Sequence, residues 1–481
     1  MTSRAADVLL SQLLDGRVKG MNDASENPKG AFVLLWLQGQ RRLRQNLAYA
    51  HAQRRANELS LPLVVYEALR HDYPHASDRF HRFVLEGAPD NAADARKRGL
   101  AYAFYLQRPQ HKKGALLQLS ARARVVVTDW LPTFIHPAQT KALAKRVNVR
   151  VEAVDAAGVV PLSNSPQLEL AARTIRPKIH RALPQFLVRI PEVKPKVDAP
   201  AQFDWGFELL DMSTISSPSK PAASGADARA IDRLCASLPI DHSVAPVDLL
   251  RGGTQAALAR LKSFLAERLP GYDERRNQPS ESHTSWLSPY LHFGHLGPLE
   301  IALAAQESDA PAADKAAFLE ELIVRRELAL NLAARSAHTT LDPLPNWARQ
   351  TLADHASDPR PALLTDSELE RSESPDPVWN AAQRQLVREG RIHGYLRMLW
   401  GKSLLLWSTD AAEAFRRMMW LNDKYALDGR DANSYCGFLW CLGVHDRPFP
   451  ERAIFGTVRS MTSRSTMNKF EMEPYLARYA P

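Results

Sequence analysis

Five short apolar runs occupy the first third of the chain: Ala31 to Leu37 (AFVLLWL), Pro62 to Leu69 (PLVVYEAL), Ala101 to Leu106 (AYAFYL), Arg124 to Trp130 (RVVVTDW) and Val149 to Val154 (VRVEAV). Each has the length of a buried strand, and the stretches between them, such as Arg41 to Leu59, carry charge and helix-like spacing. Strand therefore alternates with helix over residues 30–155. That order predicts an α/β domain, a doubly wound, Rossmann-like parallel sheet closed by right-handed crossovers. Such sheets bind dinucleotides through G-x-G-x-x-G, or phosphates through G-x-x-x-x-G-K-[ST], at the first strand-to-helix turn. Here that turn reads LQGQRR, with one glycine, which argues against both classes.

The alternation stops near Ala156. Pro177, Pro184, Pro191, Pro195, Pro200, Pro218 and Pro221 interrupt the pattern, and SSPSKPAASG near 216–225 reads as flexible surface chain. Residues 156–230 are expected to form a long connector that docks through Phe186 to Ile190 and Phe203 to Leu210. From Ile231 onward apolar residues recur at three- and four-residue spacing in Gln255–Arg268, Ala313–Arg335, Asn380–Glu389, Tyr395–Trp407 and Ala411–Leu421. That periodicity predicts an all-helical second domain over 231–481. Residues 1–29 precede the first strand as an extension.

The 481 residues leave room for two or three domains, and 45% hydrophobic with 24% charged residues is a globular balance that excludes wholesale disorder. Lys and Arg total 62 against 53 Asp and Glu, so the net charge of +9 makes a polyanion a candidate partner. Cys235, Cys436 and Cys441 are too few for a disulfide framework and lack companions for a zinc site; buried thiols in a reducing compartment are expected, and no metal. No apolar run reaches about 18 residues, and Met1 to Gly30 has no hydrophobic core with a cleavage site. A soluble, cytoplasmic protein without a membrane partner is expected, nucleoid-associated in a bacterium.

Four features of the helical half could carry chemistry. Thr284-Ser285-Trp286-Leu287-Ser288-Pro289-Tyr290 is a hydroxyl-rich turn whose side chains and main-chain N–H groups could hold a diphosphate, or simply cap a packed helix. Phe318 to Glu327 (FLEELIVRRE) crowds Glu320, Glu321, Arg325 and Arg326 onto one apolar helix, with Glu321 and Arg325 spaced for a surface ion pair. Trp379, Trp400 and Trp407, with Trp440 further along, form an indole set. Trp400 and Trp407 share a helix face about 10 Å apart along the axis, which suits core packing and also electron hopping. Leu421 to Asn433 (LNDKYALDGRDAN) is polar in an apolar region, a composition common in turns and caps. A buried Asp428 would need a cation, and Arg397 is the candidate.

Together these strings resemble the class II cyclobutane pyrimidine dimer photolyases of the photolyase/cryptochrome family. The likeness is carried by ARTIRPKI (Ala172 to Ile179), TSWLSPYLHFG (Thr284 to Gly294), FLEELIVRRELA (Phe318 to Ala329), DPVWNAAQ (Asp376 to Gln383), GRIHGYLRMLWGKSLLLW (Gly390 to Trp407), LNDKYALDGRDANSY (Leu421 to Tyr435) and GVHDR (Gly443 to Arg447). These occur in family order, and the likeness covers nearly the whole chain, from Phe32 to about Tyr475. The resemblance implies an α/β antenna domain, a connector and an all-helical domain that binds FAD. Tyr272, Thr284, Ser285, Leu287 and Ser288 would hold its phosphates and ribityl chain. Arg397 and Asp428 would pair beside the isoalloxazine, Asn422 would face flavin N5, and Trp400, Arg430 and Asn433 would complete the cofactor-binding set.

The chemistry it implies is light-dependent DNA repair: FADH⁻ donates an electron to a cyclobutane pyrimidine dimer flipped out of double-stranded DNA, the dimer splits, and the electron returns. Glu321 would hydrogen-bond the dimer's carbonyl or imide edge and Trp440 would stack on it, with Asn422 the third catalytic residue. Arg447, Arg452 and Arg459 would hold flanking phosphates, although such a charge run also suits a solvated face. Photoreduction of oxidised FAD would use Trp400 nearest the ring, then Trp379, then Trp407 at the surface. An antenna chromophore such as 8-hydroxy-5-deazaflavin and a monomer with no obligate protein partner complete the expectation. Cryptochrome light sensors share the fold, FAD and electron chain, and Glu321 and Trp440 favour repair over sensing. The sequence departs from the family pattern at Trp286, where a small or polar residue is commoner, at Leu332 and Ala333, and in GVHDRPF and VRSM.

Overall fold

The computed structural model describes residues 3–111, 114–200, 202–215 and 225–481. The stretch 216–224, expected to be flexible surface chain, lies outside the described residues. The chain packs as two compact units that interleave in sequence. The first comprises Met1–Asn164, Ile179–Lys262 and Leu287–Glu307, and the second Ser165–Lys178, Ser263–Trp286 and Ser308–Pro481.

The first unit is built on a six-stranded sheet. Strand β1 is Val18–Gly20, β2 Val33–Leu37, β3 Leu63–Leu69, β4 Ala101–Leu106, β5 Val125–Trp130 and β6 Val151–Asp155, in the spatial order β1-β6-β5-β2-β3-β4. The five apolar runs become β2 to β6, all parallel. Every residue of β2 and of β6 is buried, which is why those runs are continuous rather than alternating. The sixth strand, β1, pairs antiparallel with β6 from within the expected N-terminal extension, and its three residues are all exposed, so no apolar pattern announces it. Helix α1 is Leu47–Leu59, α2 Asp78–Leu85, α3 Ala88–Lys97, α4 Ala115–Arg122 and α5 His136–Arg146. Leu34, Trp36, Val64, Tyr66, Val126 and Val151 form one sheet face under Leu119 of α4 and Leu143 of α5. Phe203, Trp205 and Phe207 pack against the same cluster, Phe203 lying edge-on to Phe32 with centroids 5.2 Å apart.

Strand order reverses between β2 and β5, the place where open α/β sheets hold ligands beyond their strand ends. The turn after β2 is already filled. The carboxylate of Asp129, on β5, accepts the main-chain N–H groups of Gln38 at 2.9 Å, Gly39 at 2.8 Å and Gln40 at 3.2 Å. Gly39 lies close against Leu131: a Cβ there would come to 1.8 Å from Leu131 Cδ1, so a larger residue would have to displace that side chain. The absence of a phosphate-loop sequence thus has a structural counterpart: an aspartate stands where an anion would otherwise be cradled.

Residues 225–262, read from the sequence largely as the start of the helical domain, belong with the sheet; helix Gly225–Ala236 packs on α2. The second unit is helical: α6 Ala312–Leu319, α7 Arg326–Arg335, α8 Pro377–Glu389, α9 Gly394–Leu406, α10 Ala411–Tyr425 and α11 Ala432–Cys441 build its centre. A six-residue π-helical segment, Glu320–Arg325, joins α6 to α7. Within the expected connector lies a 15-residue helix, Ala172–Phe186, that runs through Pro177 and Pro184.

Candidate functional site

Helix α8 begins at Asp376, whose side chain accepts the N–H groups of Val378 at 2.9 Å and Trp379 at 3.1 Å, with Pro377 at the first helical position. The cap fixes the start of a helix that aims Trp379 at α9. There the Trp379 and Trp400 rings stand parallel, 2° apart in plane and 6.2 Å between centroids. Trp407, the residue that ends α9, meets Trp379 edge-on at 5.2 Å. The three indoles therefore form a contiguous row in the order Trp400, Trp379, Trp407. The expected surface position of Trp407 is corrected: it is 3% exposed, because its ring packs against Trp379 at the end of α9, where its main-chain oxygen accepts the Leu364 N–H and the Arg417 guanidinium.

The polar string between α10 and α11 folds into a tight buried loop. The Asp423 carboxylate accepts the Arg430 N–H at 2.8 Å and the Tyr435 hydroxyl at 3.0 Å. Gly429 is pressed against Asn422, since a Cβ there would lie 2.8 Å from the Asn422 main-chain oxygen. Arg397 on α9 grips both oxygens of Asp428, at 3.0 and 3.1 Å, the pair anticipated from the sequence. Asn422 Oδ1 and Arg397 Nε are among the buried atoms left with no hydrogen-bond partner among the described residues. Asn433, Gly437 and Trp440 follow at four- and three-residue intervals on one face of α11, Asn433 exposed and Trp440 half-buried. A Cβ built on Gly437 meets nothing within 4 Å, so this face borders open space.

Glu321 lies in the π-helical segment. Because that winding runs i→i+5, Arg325 sits beside Glu320 at 3.4 Å rather than beside Glu321, and Glu320 is also held by Arg176 at 2.6 Å. The expected Glu321–Arg325 pair is replaced by Glu321–Arg276 at 2.7 Å. Arg325 instead stacks on Trp440, 5.4 Å from its ring centroid. Tyr272 is buried against Phe264 and Phe318, and burial, with the Glu321 charge second, pushes its hydroxyl up to about 12. Thr284 and Ser285 are half-buried. Trp286 adopts φ +59°, the region that favours glycine, and its ring faces the guanidiniums of Arg391 at 3.6 Å and Arg268 at 5.0 Å. Those two cation–π contacts offset the backbone strain and account for a bulky residue at this departure from the family pattern. Leu287 and Ser288 fall in the first unit, Leu287 buried and Ser288 exposed at the start of helix Ser288–His292.

No family model matches the chain. A deoxyribodipyrimidine photo-lyase of Methanothermobacter thermautotrophicus is 36% identical over 468 residues, covering 96% of this chain and 97% of that relative. The chain belongs to the deoxyribodipyrimidine photo-lyase family. Membership makes it a light-dependent DNA-repair enzyme, a lyase acting on dipyrimidines. The photolyase fold is found again in a class III photolyase of Agrobacterium tumefaciens, with a TM-score of 0.67, 19% identity and coverage of 95% of this chain and 88% of that one. A Synechocystis cryptochrome gives 0.68, 15%, 93% and 88%. The fold is thus common to photolyases and cryptochromes, whereas sequence identity ties the chain to photolyases.

The residues named from sequence in the polar loop and indole row gather in the second unit, and Arg447, Arg452 and Arg459 are exposed in the same unit, on the segment after α11. Arg447 and Arg459 flank the Phe449 ring at 5.6 and 5.5 Å. Sequence reasoning missed Arg276, which holds Glu321 from 45 positions away and sits in no motif. It also missed Gln383 and Asp423, although both lie inside quoted strings. The three cysteines are buried, and burial pushes Cys235 and Cys436 up to about 12 and Cys441 to about 11, so all are unreactive thiols. Among the described residues no group of three His, Cys, Asp or Glu is placed to hold a metal, and no helix is long and apolar enough to cross a membrane.

Proposed function

We propose that the enzyme splits cyclobutane pyrimidine dimers in double-stranded DNA in the class II manner, with FAD held in the second unit by Tyr272, Thr284, Ser285, Arg397, Trp400, Asn422, Asp428, Arg430 and Asn433. The observation that carries this reading is Asn422 Oδ1, a buried acceptor without a donor among the described residues. Such an atom costs about 1–3 kcal/mol unless a ligand N–H meets it, and the N5–H of reduced flavin is a donor of that kind. The open face of α11 and the orphaned Arg397 Nε fit the same group. When bound, FAD supplies the electron that light drives into the lesion and takes it back.

The chain's own part is to position and to exclude water. Arg397 and Asp428 neutralise each other where an unpaired charge would be costly, and each orients the other. Glu321, held out from the π turn by Arg276, offers its carboxylate to the dimer's imide edge. Trp440, backed by the Arg325 guanidinium, presents a stacking face. Arg447, Arg452 and Arg459 bind the flanking phosphates, which fixes register without reading sequence. The indole row Trp400, Trp379, Trp407 conducts an electron inward when FAD must be reduced from its oxidised form. An 8-hydroxy-5-deazaflavin antenna and a monomeric state belong to the same proposal, supported by the resemblance alone.

Purified protein, reduced and mixed with DNA containing thymine dimers, is expected to remove dimers under blue light and not in darkness. Photoreduction of the flavin with no dimer loss would overturn the proposal in favour of a light sensor.

A further inference from the structure

The two inner indoles direct their single N–H groups at acceptors that are not bases. Trp400 Nε1 donates to Gln383 Oε1 at 2.9 Å, and Trp379 Nε1 donates to the Trp400 main-chain oxygen at 3.0 Å. Trp379, Gln383 and Trp400 are all 0% exposed. Trp379 and Gln383 are four residues apart on α8, so one face of that helix both stacks on the Trp400 ring and receives its nitrogen. The orientation of the amide is forced: an indole nitrogen only donates, so the Gln383 oxygen faces it. Gln383 Nε2 is then buried with no partner among the described residues, whereas an apolar residue at 383 would leave the buried Trp400 N–H without its acceptor. A polar side chain kept there at such cost points to a requirement on Trp400.

An indole that loses an electron becomes an N–H acid comparable to a carboxylic acid. What its N–H faces then decides the outcome. A base takes the proton and leaves a neutral radical, on which the hole is pinned; an amide carbonyl keeps the hydrogen bond and leaves the proton in place. We infer that Gln383 is a positioning residue of the photoreduction route, holding the proton on Trp400 Nε1 while Trp400 is oxidised, so that the hole moves on to Trp379 and Trp407 as charge alone. The inference rests on the tryptophan route proposed above. One electron leaves Trp400 for light-excited oxidised FAD, one from Trp379 refills Trp400, and one from Trp407 refills Trp379. Trp400 and Trp379 keep their protons, and an external thiol reductant supplies the electron that restores Trp407.

Two variants test this. Gln383→His places a neutral base at the indole nitrogen, since burial disfavours the protonated imidazole; Gln383→Met removes the acceptor at similar volume. In flavin-free protein, the ultraviolet resonance Raman band that reports indole N–H hydrogen bonding should move to its unbonded position in Gln383→Met and stay bonded in Gln383→His. In flash photolysis of FAD-loaded protein, the wild type should show the tryptophan cation signature reaching Trp407. Gln383→His should instead show a neutral tryptophan radical stalled at Trp400, with loss of the Trp407 signal. Should that variant not load FAD, Gln383→Glu carries the same test at a pH high enough to ionise the buried carboxyl, whose pKa burial raises. A basic variant that passes the hole to Trp407 as the wild type does overturns the inference. Trp400→Phe in the same flash experiment separates the two levels: radical formation unchanged there sinks the tryptophan route, and Gln383 with it. Radical formation lost there, with hole transfer unaffected in Gln383→His, sinks only the role of Gln383.

Discussion

At the residue scale the site depends on a few atoms with little room to move. Gly429→Ala would bring a methyl to 2.8 Å from the Asn422 oxygen and 3.0 Å from that of Ala426. It should cost about 1–3 kcal/mol through displacement of the loop. Thermal unfolding and the fluorescence of released flavin would check it, with both stability and FAD retention expected to fall. Glu321→Gln keeps the shape and removes the charge from the proposed lesion contact. Losing a charged hydrogen bond is worth about 1.5–3 kcal/mol, so repair under saturating light should slow by about tenfold to a hundredfold while flavin content holds. Trp400→Phe should abolish light-driven reduction of oxidised enzyme while chemically reduced enzyme still repairs, as judged by flavin absorbance and dimer assay. Unchanged photoreduction would remove Trp400 from the route.

At the element scale, local patterns located five of the six central helices of the second unit, missing α11, and misjudged two features. Helix Ala172–Phe186 has Ala172, Ile175, Ile179 and Phe186 buried, a plain helical stripe, while Pro177 and Pro184 are both exposed. The two prolines are seven residues apart, hence on one face, where water satisfies the carbonyls they strand. Proline as a helix breaker outweighed a periodicity that was present. The π turn at Glu320–Arg325 is the second case. A four-residue spacing suggested Glu321–Arg325, and one extra residue in the winding moved Arg325 to Glu320 and freed Glu321 for Arg276. The cap of α8 gives an element-level prediction: Asp376→Ala leaves the N–H groups of Val378 and Trp379 without an acceptor. It should lower stability by about 1 kcal/mol, measured by urea unfolding followed at the tryptophan emission.

At the scale of the whole molecule, acid and salt report on different units. In the sheet unit Glu152 is buried, which alone would raise its pKa, but hydrogen bonds from His51 and Arg150, with the charges of His51 and Arg55, hold it at about 2 against 4.5 unfolded. Its folded value is the lower one, so its contribution is complete above pH 4.5 and is lost as pH falls through about 2. Glu152→Gln should flatten urea stability across that window, a loss on the order of 3 kcal/mol at neutral pH that disappears in acid. For DNA, replacing Arg447, Arg452 or Arg459 singly by Ala should weaken binding about equally for damaged and undamaged duplex and lower the salt slope by about 1 each, read from affinity against salt concentration. An unchanged slope would mean that the segment is only a solvated face.

What the sequence determined by itself was whatever neighbouring residues encode together. The strands β2 to β6 were legible because burial on both faces demands continuous apolar runs, and the indole row and polar loop because their strings are contiguous and chemically unusual. The tertiary structure alone decided the partnerships between distant positions. It put Arg276 on Glu321, Asp129 under the turn after β2, Gln383 on the Trp400 nitrogen and Trp407 out of solvent. Periodicity records which side of an element is buried, whereas the partner of a buried polar atom depends on how elements cross, and that geometry is written in no single segment.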